Sequence, residues 1–205
     1  MPTPAGHSLA GLAVHLVAGT RPVSRPALVA ACLVVLANLP DIDFVPGYLI
    51  GQPREFHWGP THSLFAAILA GLGFGLLAGR WLGGFRTAFL LATAAYGSHI
   101  ILDLLLGPAV GSRGLQVLWP LSGTTYMAPW SVFHMFPASV EQIGPIRTLF
   151  SRGILPLIVR EAAVMIPVCL AAWVFGWRGW RPTQTRHTLP DATIARRDQH
   201  PLESS

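Results

Sequence analysis

Charged side chains are scarce in this sequence of 205 residues: 11% are charged, 52% are hydrophobic, and lysine is absent. A soluble domain carries roughly 25% charged residues, so the composition excludes an ordinary soluble protein. The net charge of +5 comes from arginines. These lie at the ends of apolar segments and in the tail, where they act as topology signals, so we expect a membrane protein and no nucleic-acid partner.

Cysteine is also scarce, with two residues in the chain. Cys32 and Cys169 both fall inside apolar segments, which excludes a disulfide framework and indicates buried thiols. The first residues, MPTPAG, lack the basic region of a signal peptide, and we expect none.

Long apolar runs are abundant, and a helix needs about 20 mostly apolar residues to span a bilayer. We predict an all-α fold, an integral-membrane bundle of about five helices at residues 7–20, 26–39, 62–80, 86–106 and 154–177. Residues 107–153 are rich in Gly, Pro and aromatic side chains and form a predicted outer loop region. The membrane domain then covers residues 1–180, and residues 181–205 form a disordered cytoplasmic tail.

Two local patterns refine these helices. The second helix should end before Pro40, because the residue that precedes a proline avoids helical geometry. The third helix has small residues at every fourth position, which predicts close approach of another helix: Ala67, Gly71, Gly75 and Gly79. Thr61 or Ser63 is expected to cap this helix.

Four short polar patches interrupt the apolar chain. Ionisable residues in membrane segments are costly and mark functional sites, and a mixture of imidazole and carboxylate groups suits a divalent metal. The patches comprise His7, Asp41 and Asp43, His57 and His62, and His99 and Asp103. The last two are four residues apart and share a helix face. The two carboxylates of the second patch repel each other unless a cation or proton separates them.

The arginines predict that the four patches lie at one depth. Arg21 and Arg25, Arg80 and Arg86, and Arg178 and Arg181 mark cytoplasmic ends by the positive-inside rule. Measured along each helix at about 1.5 Å per residue, every patch lies roughly 20–27 Å from its arginine. We therefore expect the patches to form one site near the outer face of the membrane.

Each patch also has a simpler interpretation. His99 and Asp103 can be a polar pair that faces the bundle interior. Asp41 and Asp43 can be solvated acids that follow a helix. His7 taken alone is more often a structural histidine.

Other polar residues fit the site less well. His15 is predicted to be a buried hydrogen-bonding residue, and His134 can reach the site from the aromatic loop. Arg160 and Glu161 are expected to pair with each other or with a neighbouring helix, and a ligand or phosphate-binding role is the alternative.

Taken together, these residues resemble the YdjM-type, LexA-regulated family of inner-membrane proteins. The resemblance covers about residues 5–130 and rests on His7, the PDID run, HWGPTHS, the pair His99 and Asp103 after Ser98, and the stretch from Gly114 to Trp119-Pro120. It implies a metal-dependent hydrolase in a bacterial inner membrane. The family usually has a basic residue where Trp58 follows His57, so no anion contact is expected at that position.

A more distant similarity concerns the zinc-dependent phospholipases C and single-strand nucleases, which bind three zinc ions. That similarity implies five metal ligands in this chain: His7, Asp43, His57, His99 and Asp103. Asp41 and His62 are further ligands or support them, and we assign both to catalysis. The second H-x-x-x-D/E pair of those enzymes has no match here, so we expect two zinc ions, with three as the alternative.

Three functions are compatible with these features. The first is a zinc-type hydrolase that cleaves a phosphoester of a lipid or lipid-linked substrate with metal-activated water, its site facing the periplasm. The second is a membrane transporter or a metal-binding protein without hydrolase activity, and transport predicts a polar path through His15. The third is a structural bundle, in which the polar residues are replaceable.

Overall fold

The computed structural model describes residues 2–19, 25–52, 55–108, 113–133 and 152–179. Within these ranges the chain is all-α, as predicted, and contains no β-strand. The helices are α1 (Pro4–Val17), α2 (Pro26–Asn38), α3 (Phe44–Leu49), α4 (Leu64–Ala78), α5 (Phe85–Leu104) and α6 (Leu155–Gly179). Short 3₁₀ turns cover Leu39–Asp43, Pro60–His62, Gly79–Trp81 and Arg152–Ile154. The predicted tail at 181–205 and His134 lie outside the described residues.

The bundle of about five helices is confirmed, and four stretches are long and apolar enough to cross a membrane. These are Pro26–Leu49, Leu64–Trp81, Phe85–Leu104 and Leu155–Trp177. The fifth helix, α1, has 14 residues. At 1.5 Å per residue it is about 21 Å long, whereas the hydrocarbon core measures about 30 Å. α1 is therefore a shorter helix that begins inside the protein, where Thr3 and His7 are buried.

Local chemistry explains where two of the helices begin. The hydroxyl of Thr3 accepts a hydrogen bond from the N–H of Ala5, and Pro4 occupies the first turn of α1, where no N–H is needed. Ser63 caps α4 by accepting a bond from the N–H of Ala66 at 3.1 Å. Of the two caps predicted for this helix, Ser63 is thus confirmed.

α2 ends at Asn38, so the predicted end before Pro40 is confirmed, and the chain continues beyond it as a 3₁₀ turn. Leu39–Asp43 forms a 3₁₀ turn that runs into α3, and Asp41 and Asp43 therefore lie on a helical turn rather than in a loop. Pro40 is tolerated because it occupies the first turn of the new segment, where its missing N–H removes no hydrogen bond.

The small residues of α4 face α5, as predicted. Gly71 and Gly75 are buried. A Cβ atom at Gly71 would lie 1.9 Å from Oγ1 of Thr93, and one at Gly75 would lie 2.8 Å from the ring of Phe85. The absence of side chains at these positions lets the two helices approach closely.

The helix directions bring the four polar patches to one end of the bundle. Asn38, at the end of α2, bonds to Ser8 near the start of α1, so these helices are antiparallel. α4 and α5 are antiparallel through a tight turn between Arg80 and Arg86 at the opposite end. The first turns of α1 and α4 therefore lie beside the last turns of α2 and α5.

The described part of the predicted outer loop, residues 113–133, packs on this same end. The N–H of Gln116 donates to the carbonyl of Trp58 at 3.2 Å, and the N–H of Ala128 donates to the carbonyl of Leu104 at 3.0 Å. Leu115 of this segment is fully buried. Residues 113–133 contain no helix, in keeping with the predicted loop. The segment is an irregular cover whose backbone bonds to the bundle, as non-helical chain at membrane depth requires.

Replacing Gly71 by Ala should destabilise the protein by about 1–3 kcal/mol, because the new Cβ would overlap Thr93 and crowd the backbone of α5. Gly73 is the matched control, since a Cβ there would meet nothing within 4 Å. Thermal unfolding of both variants in detergent tests the prediction. Equal midpoints for Gly71→Ala and Gly73→Ala would contradict the close contact of α4 and α5.

Candidate metal centre

All seven predicted site residues lie together at the covered end of the bundle. Asp41 has the most exposed side chain of the seven, at 15%, and the side chains of Asp43 and His57 are 5% exposed. The remaining four are fully buried: His7, His62, His99 and Asp103. The structure thus brings together the residues of four separate chain segments.

Four of these side chains surround one central position with His62 Nε2, His99 Nε2, Asp41 Oδ1 and Asp103 Oδ2. The two nitrogens are 3.1 Å apart, and each lies 3.5 to 3.8 Å from the two carboxylate oxygens. Ligand atoms placed tetrahedrally at zinc–ligand distances of 2.0–2.1 Å are about 3.3 Å apart. The spacing of the His62, His99 and Asp103 atoms fits one divalent ion, and Asp41 Oδ1 lies beside both nitrogens.

Further groups of ligand atoms overlap with this set. Atoms of His7, Asp41 and His99 lie within 4.8 Å of one another, and so do atoms of Asp41, His57 and His62. The ring of His7 stacks on that of His99 at 3.7 Å between centroids. Overlapping groups of this kind can hold more than one ion, with Asp41 shared between them.

Asp43 contacts the outer nitrogens of two imidazoles. Its carboxylate accepts hydrogen bonds from Nδ1 of His57 at 3.0 Å, from Nδ1 of His62 at 3.1 Å and from the hydroxyl of Thr61 at 2.8 Å. Carboxylates in this position orient metal-binding histidines and fix their tautomer. The geometry therefore favours an orienting role for Asp43, whereas its assignment as a ligand stays a prediction.

The carbonyl oxygen of Ala37 orients His99 in the same way, at 2.8 Å from Nδ1. A carbonyl only accepts, so a neutral His99 carries its proton on Nδ1 and a lone pair on Nε2. A neutral His62 that donates from Nδ1 to Asp43 likewise carries a lone pair on Nε2. Two lone pairs then face each other across 3.1 Å. This contact is repulsive unless a cation lies between the rings or one ring takes a second proton.

Several buried atoms of the cluster have no hydrogen-bond partner among the described residues. These are both ring nitrogens of His7, Nε2 of His57, Oδ1 of Asp41 and Oδ1 of Asp103. Nearly all buried polar atoms in proteins are hydrogen-bonded, and an unpaired one costs about 1–3 kcal/mol. A bound metal ion would satisfy both kinds of atom, because imidazole nitrogens and carboxylate oxygens can both coordinate it.

His57 and His62, which lie outside the membrane spans, differ in their protonation. Burial lowers the pKa of His57, and its bond to Asp43 only partly opposes that effect. Burial also acts to lower the pKa of His62, but hydrogen bonds to Asp103 and Asp43 outweigh it and raise that pKa. His57 is therefore neutral near pH 7, whereas at His62 a proton would compete with any metal ion that binds there.

Three residues without an assigned site role in the sequence analysis hold the cluster in place. The indole N–H of Trp58 donates to Asp103 Oδ2 at 2.9 Å. The Tyr96 hydroxyl donates to the carbonyl of Thr61 at 2.8 Å, and the hydroxyl of Thr61 in turn donates to Asp43. Tyr96 lies three residues before His99, so the shared helix face was a signal that could have identified it.

Trp58 also has an unusual backbone. Its φ of 67° lies in the left-handed region, which a bulky residue rarely adopts and which costs about 1–3 kcal/mol. The indole bond to Asp103 and the backbone bond from Gln116 hold Trp58 in this conformation. Trp58 thus places a neutral donor on a carboxylate of the cluster.

Two other predicted residues lie away from the cluster. His15 is half-buried rather than buried, and it borders an apolar cavity near the opposite end of the bundle. Glu161 is buried and accepts hydrogen bonds from Thr3 and Gly6 in the first turn of α1. It therefore joins α6 to the helix that carries His7.

The fold and the cluster define a multi-pass membrane protein with a buried histidine–aspartate centre suited to metal ions. The chain belongs to the YdjM inner membrane protein family, whose profile matches residues 1–184. It is also similar to the inner membrane protein YbcI of Escherichia coli (strain K12), with 32% identity over 146 residues that cover 69% of this chain and 81% of YbcI. No solved structure shows a significant match.

These matches confirm the predicted family and a multi-pass protein of the inner membrane. Both names describe a location and no activity. The matches do not show the more distant similarity to phospholipases C and single-strand nucleases, which stays a prediction.

Replacing Asp43 by Asn should weaken metal binding by about 10–100-fold, because the amide nitrogen cannot accept a bond from an imidazole N–H. Competition with a chelator on purified protein measures the affinity. Ser98→Ala is the matched control, since Ser98 adjoins His99 but bonds to the Ala95 carbonyl of its own helix. Unchanged affinity in Asp43→Asn would contradict the orienting role, and complete loss of one ion would make Asp43 a ligand.

Proposed function

We propose that this protein is a membrane-bound, metal-dependent hydrolase that cleaves a phosphoester bond, using zinc-type ions held by the histidine–aspartate cluster. One observation carries the proposal: Nε2 of His62 and Nε2 of His99 face each other at 3.1 Å, with carboxylate oxygens of Asp41 and Asp103 beside them. This arrangement is repulsive for two neutral imidazoles and favourable around a cation.

The donor set fits two ions. His62, His99, Asp41 and Asp103 would hold one of them, and His7 or His57 with the remaining carboxylate oxygens would hold the other. A divalent metal supplies Lewis-acid chemistry when bound, since it makes water more acidic and offsets negative charge on a phosphoryl group. Two divalent ions exceed the charge of three aspartates by one unit, so the loaded site would attract an anionic phosphodiester.

Asp41 is our candidate for the residue that accepts a proton from the attacking water. Its side chain is the most exposed of the cluster, at 15%, so water and substrate reach the site beside it. Its carboxylate lies beside the two imidazole nitrogens that would hold the first ion, so it could orient or deprotonate a water molecule at that ion.

The surroundings of Asp41 favour a lipid or lipid-linked substrate. Ile42, Val45 and Leu49 follow it along the turn and α3, and their exposed fractions are 56%, 54% and 83%. In a membrane these side chains contact acyl chains. A substrate could thus keep its apolar part in the bilayer while its phosphate group reaches Asp41.

We also propose that the site faces the periplasm. Arg25, Arg80 and Arg86 lie at helix ends opposite to the cluster. By the positive-inside rule those ends are cytoplasmic, and the cluster then lies towards the outer surface.

Transport has less support. The buried residues of α1 between His7 and His15 are Ala10, Gly11 and Ala13, which offer no side-chain ligand along this part of the described bundle. A transport pathway needs polar groups that connect the site to the other side.

Purified protein should contain two divalent ions per chain, and a His99→Ala/Asp103→Ala double variant should lose them, because both residues border the central position. Elemental mass spectrometry of the purified proteins measures this. His15→Ala is the control, a histidine outside the cluster whose removal should leave the metal content unchanged. Wild-type protein without metal would overturn the proposal.

Turnover of a phospholipid in vesicles should depend on metal, so a chelator should abolish it and added zinc should restore it. A water-soluble phosphodiester assayed in parallel separates lipid specificity from general phosphodiesterase activity. Metal-loaded protein that hydrolyses neither substrate would contradict the hydrolase and favour a metal-binding protein without this activity.

A further inference from the structure

We infer that Glu161 is a positioning residue of the metal centre: it anchors the first turn of α1 so that His7 faces Asp103. The inference rests on the proposed metal centre. Glu161 lies on α6, which contributes no residue to the cluster, so its role is indirect.

Glu161 makes a dense set of contacts with α1. It is 2% exposed, a costly environment for a carboxyl group in a membrane protein. Its oxygens accept hydrogen bonds from the N–H of Thr3 at 2.6 Å, from the hydroxyl of Thr3, and from the N–H of Gly6 at 3.0 Å. All three partners are donors, so the carboxyl group acts as an acceptor towards the start of α1.

The start of α1 requires such an acceptor. The first N–H groups of a helix have no partner within the helix. α1 begins inside the protein, where Thr3 is 1% exposed, so water cannot supply the missing acceptors. Glu161 accepts from two of these groups, and its carboxylate lies at the positive end of the helix dipole.

Gly6 lies against the carboxyl group of Glu161, with no room for a side chain between them. A Cβ atom at Gly6 would lie 2.8 Å from Oε2 of Glu161, so a larger residue would push the carboxyl group away. His7 is the next residue, and its N–H bonds to the Thr3 carbonyl at 3.3 Å. Any shift of this turn therefore moves His7.

His7 depends on this anchoring because its ring has few polar contacts of its own. Neither ring nitrogen has a hydrogen-bond partner among the described residues. The ring stacks on His99, and its Nε2 lies 3.6 Å from Asp103 Oδ1. The other imidazoles of the cluster are oriented by hydrogen bonds to Asp43 or Ala37. The orientation of His7 thus comes from the α1 backbone, which Glu161 holds.

Glu161→Gln tests the inference, because a carboxamide keeps the size of the side chain but turns an NH₂ group towards the N–H groups of α1. In chelator competition, the affinity for the more weakly held ion should fall roughly tenfold or more. His7→Ala should give the same loss, and the double variant should be no weaker than His7→Ala alone.

Cys169→Ala is the matched control for α6. The thiol of Cys169 also bonds to α1, at the Leu9 carbonyl, at a distance of 3.4 Å. This bond lies beyond the first turn of α1, so its removal should leave metal affinity unchanged.

The outcomes separate this inference from the proposed function. Wild-type affinity in Glu161→Gln, together with a loss in His7→Ala, would overturn the positioning role and leave the metal centre intact. Wild-type protein without metal would overturn both.

A second pair of variants applies if circular dichroism shows that Glu161→Gln does not fold. Thr3→Val removes the hydroxyl that bonds to Glu161, and Thr3→Ser keeps a hydroxyl. Weaker metal binding in Thr3→Val alone would support the positioning role, and equal binding in both would overturn it.

Discussion

Three aspartates lie at one end of an apolar bundle, and the rest of the structure depends on how their negative charge is compensated. Removing a charge from water costs several kcal/mol unless partners replace the solvent. Donors from neighbouring chain segments supply part of the compensation, among them the indole of Trp58 on Asp103 and the hydroxyl of Thr61 on Asp43. The segments that carry these groups must meet at one level, which sets the length and direction of the helices around them.

Protonated histidines could balance this charge without metal, but they account for the site less completely. A second proton on His62 or His99 would relieve the repulsion between their facing nitrogens. It would leave Nε2 of His57 and both nitrogens of His7 without partners among the described residues. Cations bound among the same atoms satisfy the imidazoles and the carboxylates at once, and for this reason we favour a metal centre over a network of ion pairs.

The sequence predicted the features that depend on local pattern. Helical spacing predicted the face that Gly71 and Gly75 present to α5, and distances from the arginines predicted that the four patches share one depth. The sequence could not tell which aspartate orients the histidines, because Asp41 and Asp43 are two residues apart on a turn whose shape depends on tertiary contacts. It also missed the bond between Gly6 and Glu161, which joins residues 155 positions apart.

The short α1 links these observations. Because α1 starts at the level of the cluster, His7 belongs to its first turns and its ring lies against His99. The same start leaves backbone N–H groups in an apolar region, where only a buried acceptor can satisfy them. Glu161 supplies that acceptor from α6. This helix contributes no residue to the cluster, yet it becomes necessary for the geometry of the site. Burying the carboxyl group of Glu161 costs free energy, and its bonds to the first turn of α1 hold His7 in place.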